Sequence, residues 1–147
     1  MTIQVVGVEA SASKAVILEG TSERAVRGVD FRVSVRLHNS GPATSMLTNF
    51  NSVFDGFALV IWDADAPADS GELQRIHYTH HQSPYAQDRP LPVPTGTTRA
   101  TLSFPVQEWT ARATRARVRL EGGLYGTAWP SGLRSNEVVV TLPKREG

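Results

Sequence analysis

The stretch Asp30-Phe31-Arg32-Val33-Ser34-Val35-Arg36-Leu37-His38-Asn39 decides the fold. Phe31, Val33, Val35 and Leu37 share one parity, while Arg32, Ser34, Arg36 and His38 share the other. A period of two is that of a strand with one dry and one wet face. The pattern returns three times. Residues 98–104 place Ala100, Leu102 and Phe104 inward, residues 114–121 do so with Ala116, Val118 and Leu120, and residues 137–142 with Val138, Val140 and Leu142. One wet face per strand suits antiparallel sheets rather than a helix-covered parallel sheet.

Weaker strands fill the gaps. Residues 3–9 read as a first strand, 15–18 as a short continuation and 73–79 as a less regular candidate. Residues 57–62 are apolar on both faces, which places them at a sheet centre or against a partner. Turn formers separate the segments: Asn39-Ser40-Gly41-Pro42, residues 65–71, Pro94-Thr95-Gly96 and Pro130-Ser131-Gly132. No window carries the spacing of an amphipathic helix, and residues 107–114 have room for one helical turn at most. The expected fold is all-β, a two-sheet antiparallel β-sandwich of about seven to eight strands, immunoglobulin-like or fibronectin-III-like. It occupies residues 1–143 as a single domain, with 144–147 a short tail. An up-and-down barrel is the rival, because alternation alone does not give strand order.

Composition agrees with a folded domain: 147 residues, 40% hydrophobic and 20% charged, with a net charge of +1. A chain of this size buries roughly 70% of its unfolded surface, which is enough for a core. The near-neutral charge supplies no field for a polyanion, so no nucleic-acid partner is expected. The charge-free residues 39–54 are too polar to cross a bilayer, so no membrane partner is expected. Residues 1–9 alternate rather than forming a leader, which points to the cytoplasm. The absence of cysteine excludes disulfides, thiolate metal sites and thiol nucleophiles.

The constellations that suggest chemistry fail on geometry. His77, His80 and His81 crowd five residues, but on a strand the backbones of His77 and His81 sit about 13 Å apart. His80 and His81 then face opposite ways, so the three cannot converge on a metal without help from His38 or an aspartate. Asp63, Asp65, Asp69 and Glu72 suggest a calcium loop, yet Pro67 and Ala68 occupy ligand and turn positions and the terminal bidentate glutamate is missing. A polar hairpin connection accounts for the same residues. Thirteen arginines against two lysines place stripes at Arg32 and Arg36 and at Arg115, Arg117 and Arg119. In an immunoglobulin-like order these lie on opposite sheets, so solvated, cross-strand-paired arginines are expected rather than a phosphate surface. No nucleophile elbow, zinc helix or phosphate-binding glycine loop occurs. The chain is therefore expected to be no enzyme and to need no cofactor or metal.

One layout goes beyond generic strands. Residues 31–41 are followed by Leu47-Thr48-Asn49-Phe50-Asn51-Ser52-Val53-Phe54-Asp55-Gly56-Phe57, then Ile76-His77-Tyr78, the Pro94-Thr95-Gly96-Thr97 turn and Ser135-Asn136-Glu137-Val138. The order resembles the non-catalytic β-sandwich that precedes the catalytic domain, as an N-terminal or pro-segment, in deuterolysin-like (peptidyl-Lys type) metalloproteases. It is similar, more loosely, to bacterial intracellular proteinase inhibitors of the BsuPI type. The resemblance implies a non-catalytic module with a protein partner, a protease among the candidates, and carries over no catalytic residue. On this reading the contacts come from loops at one end or from strand addition at a free edge. Residues 44–55 and 80–94 are the expected contact loops, with Tyr85 and Arg89 as anchors. Tyr125 and Trp129 would stack on a sugar if the chain were instead a carbohydrate-binding or adhesion module. A structural subunit of a larger assembly is the third possibility.

Overall fold

A computed structural model describes residues 1–48, 52–78, 89–122 and 133–144. Nine strands and no helix make up the described residues: β1 Thr2–Glu19, β2 Ser22–Asn39, β3 Thr44–Thr48, β4 Phe57–Asp63, β5 Gln74–His77, β6 Arg89–Val93, β7 Gly96–Val106, β8 Arg115–Gly122 and β9 Val138–Thr141. Two antiparallel sheets form the sandwich, one in the order β1-β2-β7 and the other β5-β4-β8-β9. A small third sheet pairs β3 with β6. All ladders are antiparallel. Residues 107–114, given room for one turn of helix, are an irregular strap.

The core lies where the alternation placed it. Register sets Phe31 opposite Phe104 and Val33 opposite Leu102 in the first sheet, and Leu59 opposite Leu120 and Ile61 opposite Val118 in the second. All eight are buried. Tyr78 closes over Phe104 with ring centroids 5.6 Å apart, and Trp109 over Phe31 at 5.8 Å. Tilted rings at these separations add attraction beyond the area they bury.

β1 changes phase once. Val5 pairs with Val35 and Gly7 with Ser34, so Val6 is an extra residue, a β-bulge. Before it Ile3 and Val5 face the core; after it Val8 and Ala10 do, opposite Val33 and Phe31. Asn136 meets β1 at this point. Its Oδ1 accepts the Val5 N–H at 2.8 Å and its Nδ2 donates to the Val5 carbonyl at 3.0 Å, so one side-chain amide ties the two sheets together.

β1 and β2 form a hairpin far longer than the alternation implied. The expected break between residues 9 and 15 is absent, and pairing runs unbroken to Glu19↔Ser22 around Gly20-Thr21. Gly20 has φ 63° and Thr21 a negative φ, as a type II′ turn requires. β7 pairs with β2 only from Val29 onward, so residues 13–28 continue as a two-stranded ribbon beyond the three-stranded sheet. Gly28 marks the departure. A Cβ there would meet the Val106 carbonyl oxygen at 2.1 Å and that of Gln107 at 2.6 Å.

Candidate functional site

Three surfaces carry unusual side chains, and the outer face of the four-stranded sheet is the first. β4 is apolar on both faces, and its outward Ala58 and Val60 are fully buried although no partner chain covers them. The cover is made of arginine. Val60 lies between Arg75 and Arg119 in register, and Trp62 pairs with Arg117. The guanidinium groups of Arg117 and Arg119 stand 4.7 and 4.8 Å from the Trp62 ring centroid, a double cation–π stack.

Glu121 is the anion under this layer. It is 7% exposed and accepts hydrogen bonds from Arg119 Nε at 2.9 Å and Arg75 Nη1 at 3.0 Å, with Arg134 Nε at 3.8 Å. Burial by itself raises the Glu121 pKa, but the bonds from Arg119 and Arg75 outweigh it and hold the carboxyl below the usual carboxylate range. Glu137 takes the second guanidinium edge of both Arg117 and Arg119. The expected pairing is present and Arg32, Arg36 and Arg115 are exposed as expected, but Arg117 and Arg119 are not solvated side chains. Arg117 and Arg119 expose only 25% and 21% of their side chains, because their stems seal the apolar face of β4. This surface is satisfied internally and offers little to a ligand.

The second surface is the end of the four-stranded sheet where β4 begins and β5 and β8 finish. Phe57 pairs with Gly122 and Ala58 with His77, so these strand termini sit side by side. Of the site residues read from the sequence, Tyr85, Tyr125, Trp129, His80 and His81 lie outside the described residues. Arg89 is exposed at the first position of β6, opposite Thr48. The stretches 44–55 and 80–94 are thus not wholly loop, since each contributes a strand to the small sheet. Pro90 and Pro92 strip donors from one edge of β6, which makes it a terminal strand.

His77 is half-buried, and burial lowers its pKa, with the Arg75 cation acting the same way. The Arg75 cation beside His77 disfavours a second cation there. His38 lies on the other sheet, its Nδ1 3.0 Å from Thr97 Oγ1. In the acidic hairpin, Asp63 Oδ1 accepts the Asp65 N–H at 2.9 Å, Asp65 pairs with Arg115, and Glu72 pairs with Arg75. Among the described residues no three His, Asp or Glu side chains gather as a metal site would need.

The third surface is the ribbon, which sequence reasoning missed. Strict pairing puts Lys14, Val16 and Leu18 on one face with Arg27, Ala25 and Glu23 opposite them. Val16 and Leu18 are 61% and 72% exposed. Among the described residues the outer edge of β1 pairs with no strand, so along the ribbon its alternate N–H and C=O groups point away from β2 and enter no ladder of those residues. One side is braced by the strap: Trp109 N–H donates to the Arg27 carbonyl at 2.8 Å, and Arg24 bridges Glu19 and Glu108 at 2.9 and 2.8 Å. The ribbon is therefore held out from the sandwich. Its only local signal was a glycine at position 20 between two runs of strand-compatible residues. The chain matches no family profile, no curated protein and no solved structure.

Proposed function

We propose that the chain is a non-catalytic binding module of fibronectin-III-like topology that engages a protein through its projecting β1–β2 ribbon. The topology reading is supported by the strand orders, three strands as β1-β2-β7 against four as β5-β4-β8-β9, the arrangement of an A-B-E sheet against a C′-C-F-G sheet. The carrying observation is the ribbon itself. A free strand edge flanked by exposed Val16 and Leu18 is a template for β-strand addition and an aggregation hazard in a protein that has no use for it. Among the described residues the carboxylates of Asp65, Glu72, Glu108 and Glu121 are committed to arginines.

Affinity capture from native lysate with three forms of the chain tests the reading. Val16→Lys/Leu18→Lys, at positions already in water, leaves folding intact and loses the partner bound by wild type. Tyr85→Ala/Arg89→Ala keeps it. Retention by the ribbon variant overturns the placement, and turnover of a substrate by homogeneous chain overturns the class. The layout resemblance implies a protease as the partner, and inhibition of a protease panel by the wild-type chain is the arm that tests it.

A further inference from the structure

The outer face of the three-stranded sheet carries a shallow hollow of about 360 Å³, at the low end of the size range of ligand sites. It lies where β1 bulges against the middle of β2 and β7, and Val6, Ser34, Arg36, Arg99 and Thr101 line it. Arg36 and Arg99 are partners in register, and both are exposed. Like charges directly opposite on neighbouring strands are destabilising, since their Cβ atoms are only about 5 Å apart. On the four-stranded sheet, Arg75, Arg115, Arg117 and Arg119 each hold a carboxylate. Arg36 and Arg99 hold none among the described residues, and the Ser34 and Thr101 hydroxyls make no hydrogen bond among them. The rows above and below are committed. His38 Nδ1 lies 3.0 Å from Thr97 Oγ1, Ser103 Oγ donates to Asp30 at 2.9 Å, and Glu9 stands opposite Arg32.

The bulge shapes the hollow. Val6 is the extra residue opposite Ser34 and stands 46% exposed, while nothing lies within 4 Å of a Cβ placed on Gly7. Two guanidinium groups and two hydroxyls around one hollow can all donate to an oxyanion. Charge selects which one. A carboxylate or a sulfate ester neutralises one arginine, whereas a phosphate monoester carries about −1.5 to −2 at pH 7 and answers both. We propose that this hollow binds a phosphate monoester whose alcohol part is apolar. The phosphate bridges Arg36 and Arg99 and accepts hydrogen bonds from Ser34 and Thr101, and the carbon group lies on Val6. The site is separate from the ribbon and does not depend on the strand-addition reading.

The test is titration of the full chain with phenyl phosphate at about pH 7.5, followed through backbone amide shifts. Shifts centre on residues 5–7, 34–36 and 99–101. Phenyl sulfate, with the same ring and a single charge, binds at least about ten-fold more weakly. Inorganic phosphate and a blocked phosphoserine tripeptide bind at least about three-fold more weakly than phenyl phosphate, because neither covers Val6 with a ring. Arg36→Gln/Arg99→Gln loses at least about ten-fold in phenyl phosphate affinity. Its ligand-free melting temperature is no lower than that of wild type, since the opposed charges are gone. Thr101→Val keeps both arginines and weakens binding at least about three-fold. Arg112→Gln, which removes an exposed arginine of the strap, leaves binding unchanged. Undiminished binding by either hollow variant, equal binding of phenyl sulfate, or no shift up to about 10 mM phenyl phosphate overturns the proposal. A loss as large for Arg112→Gln also overturns it, because overall charge would then be the cause. Equal binding of the phosphoserine peptide or of inorganic phosphate overturns the assignment of an apolar ester seated on Val6.

Discussion

At Glu121 one carboxylate organises Arg75, Arg119 and Arg134 on the back of β4. Glu121→Gln keeps the shape and removes the charge, leaving the Arg75 and Arg119 guanidinium groups facing each other across β4. Hydrogen bonds to charged groups contribute about 1.5–3 kcal/mol each, so a loss of about 2 kcal/mol in urea unfolding at pH 7 is expected. The sign with pH follows from the direction of the shift. The folded carboxyl lies below its ordinary value of about 4.3, so its contribution is complete above that value and disappears as pH falls through the folded pKa. Wild type should lose stability in that acid window by more than Glu121→Gln does, and parallel curves would exclude the carboxylate as the cause. Gly28 is a second decisive residue. Gly28→Ala drives a methyl group into the Val106 carbonyl and should cost at least about 1–3 kcal/mol, as overpacking does. Gly7→Ala, with nothing within 4 Å of the added atom, is the control and should leave the melting temperature nearly unchanged.

At the scale of elements, what could be read in advance follows from where side-chain contrast is local. β2 and β7 were legible because each alternates in sequence and has one wet face in the fold, and β8 because it alternates in sequence, although its charged face packs over β4. β4 was legible as buried on both faces, but not what covers it, since its lid comes from arginines on β5 and β8. The ribbon was missed because Ser11-Ala12-Ser13-Lys14 has no apolar contrast, and its strand character comes only from pairing with β2. β3 and β6 were missed for a related reason, since prolines at 90 and 92 argue against a strand unless it lies at an edge. The tie made by Asn136 was hidden because its partner Val5 is 131 residues away. Asn136→Ala leaves the Val5 N–H and C=O without that amide and should cost about 1–3 kcal/mol. Faster amide exchange confined to residues 2–6 is the accompanying signature, and uniform loss of protection would instead mean that Asn136 holds the whole sandwich.

For the whole molecule, the sheets differ in how stability is distributed. Residues 29–38 of β2 are paired on both sides and seal the core through Phe31, Val33, Val35 and Leu37. Residues 13–28 are paired across one ladder only and expose Val16 and Leu18. Local opening has a free energy set by the contacts it breaks, so one continuous hairpin spans two stabilities. Hydrogen exchange on the free chain should show amides of residues 31–37 opening only with global unfolding. Those of residues 15–26 should exchange by a smaller, sub-global opening that leaves the core protected. The binding reading requires this gradient, because an edge that accepts another strand must itself adapt its twist at low cost. Ribbon protection equal to that of the core in the free chain would mean that the ribbon is rigidly supported along its length, and would overturn the gradient that strand addition needs.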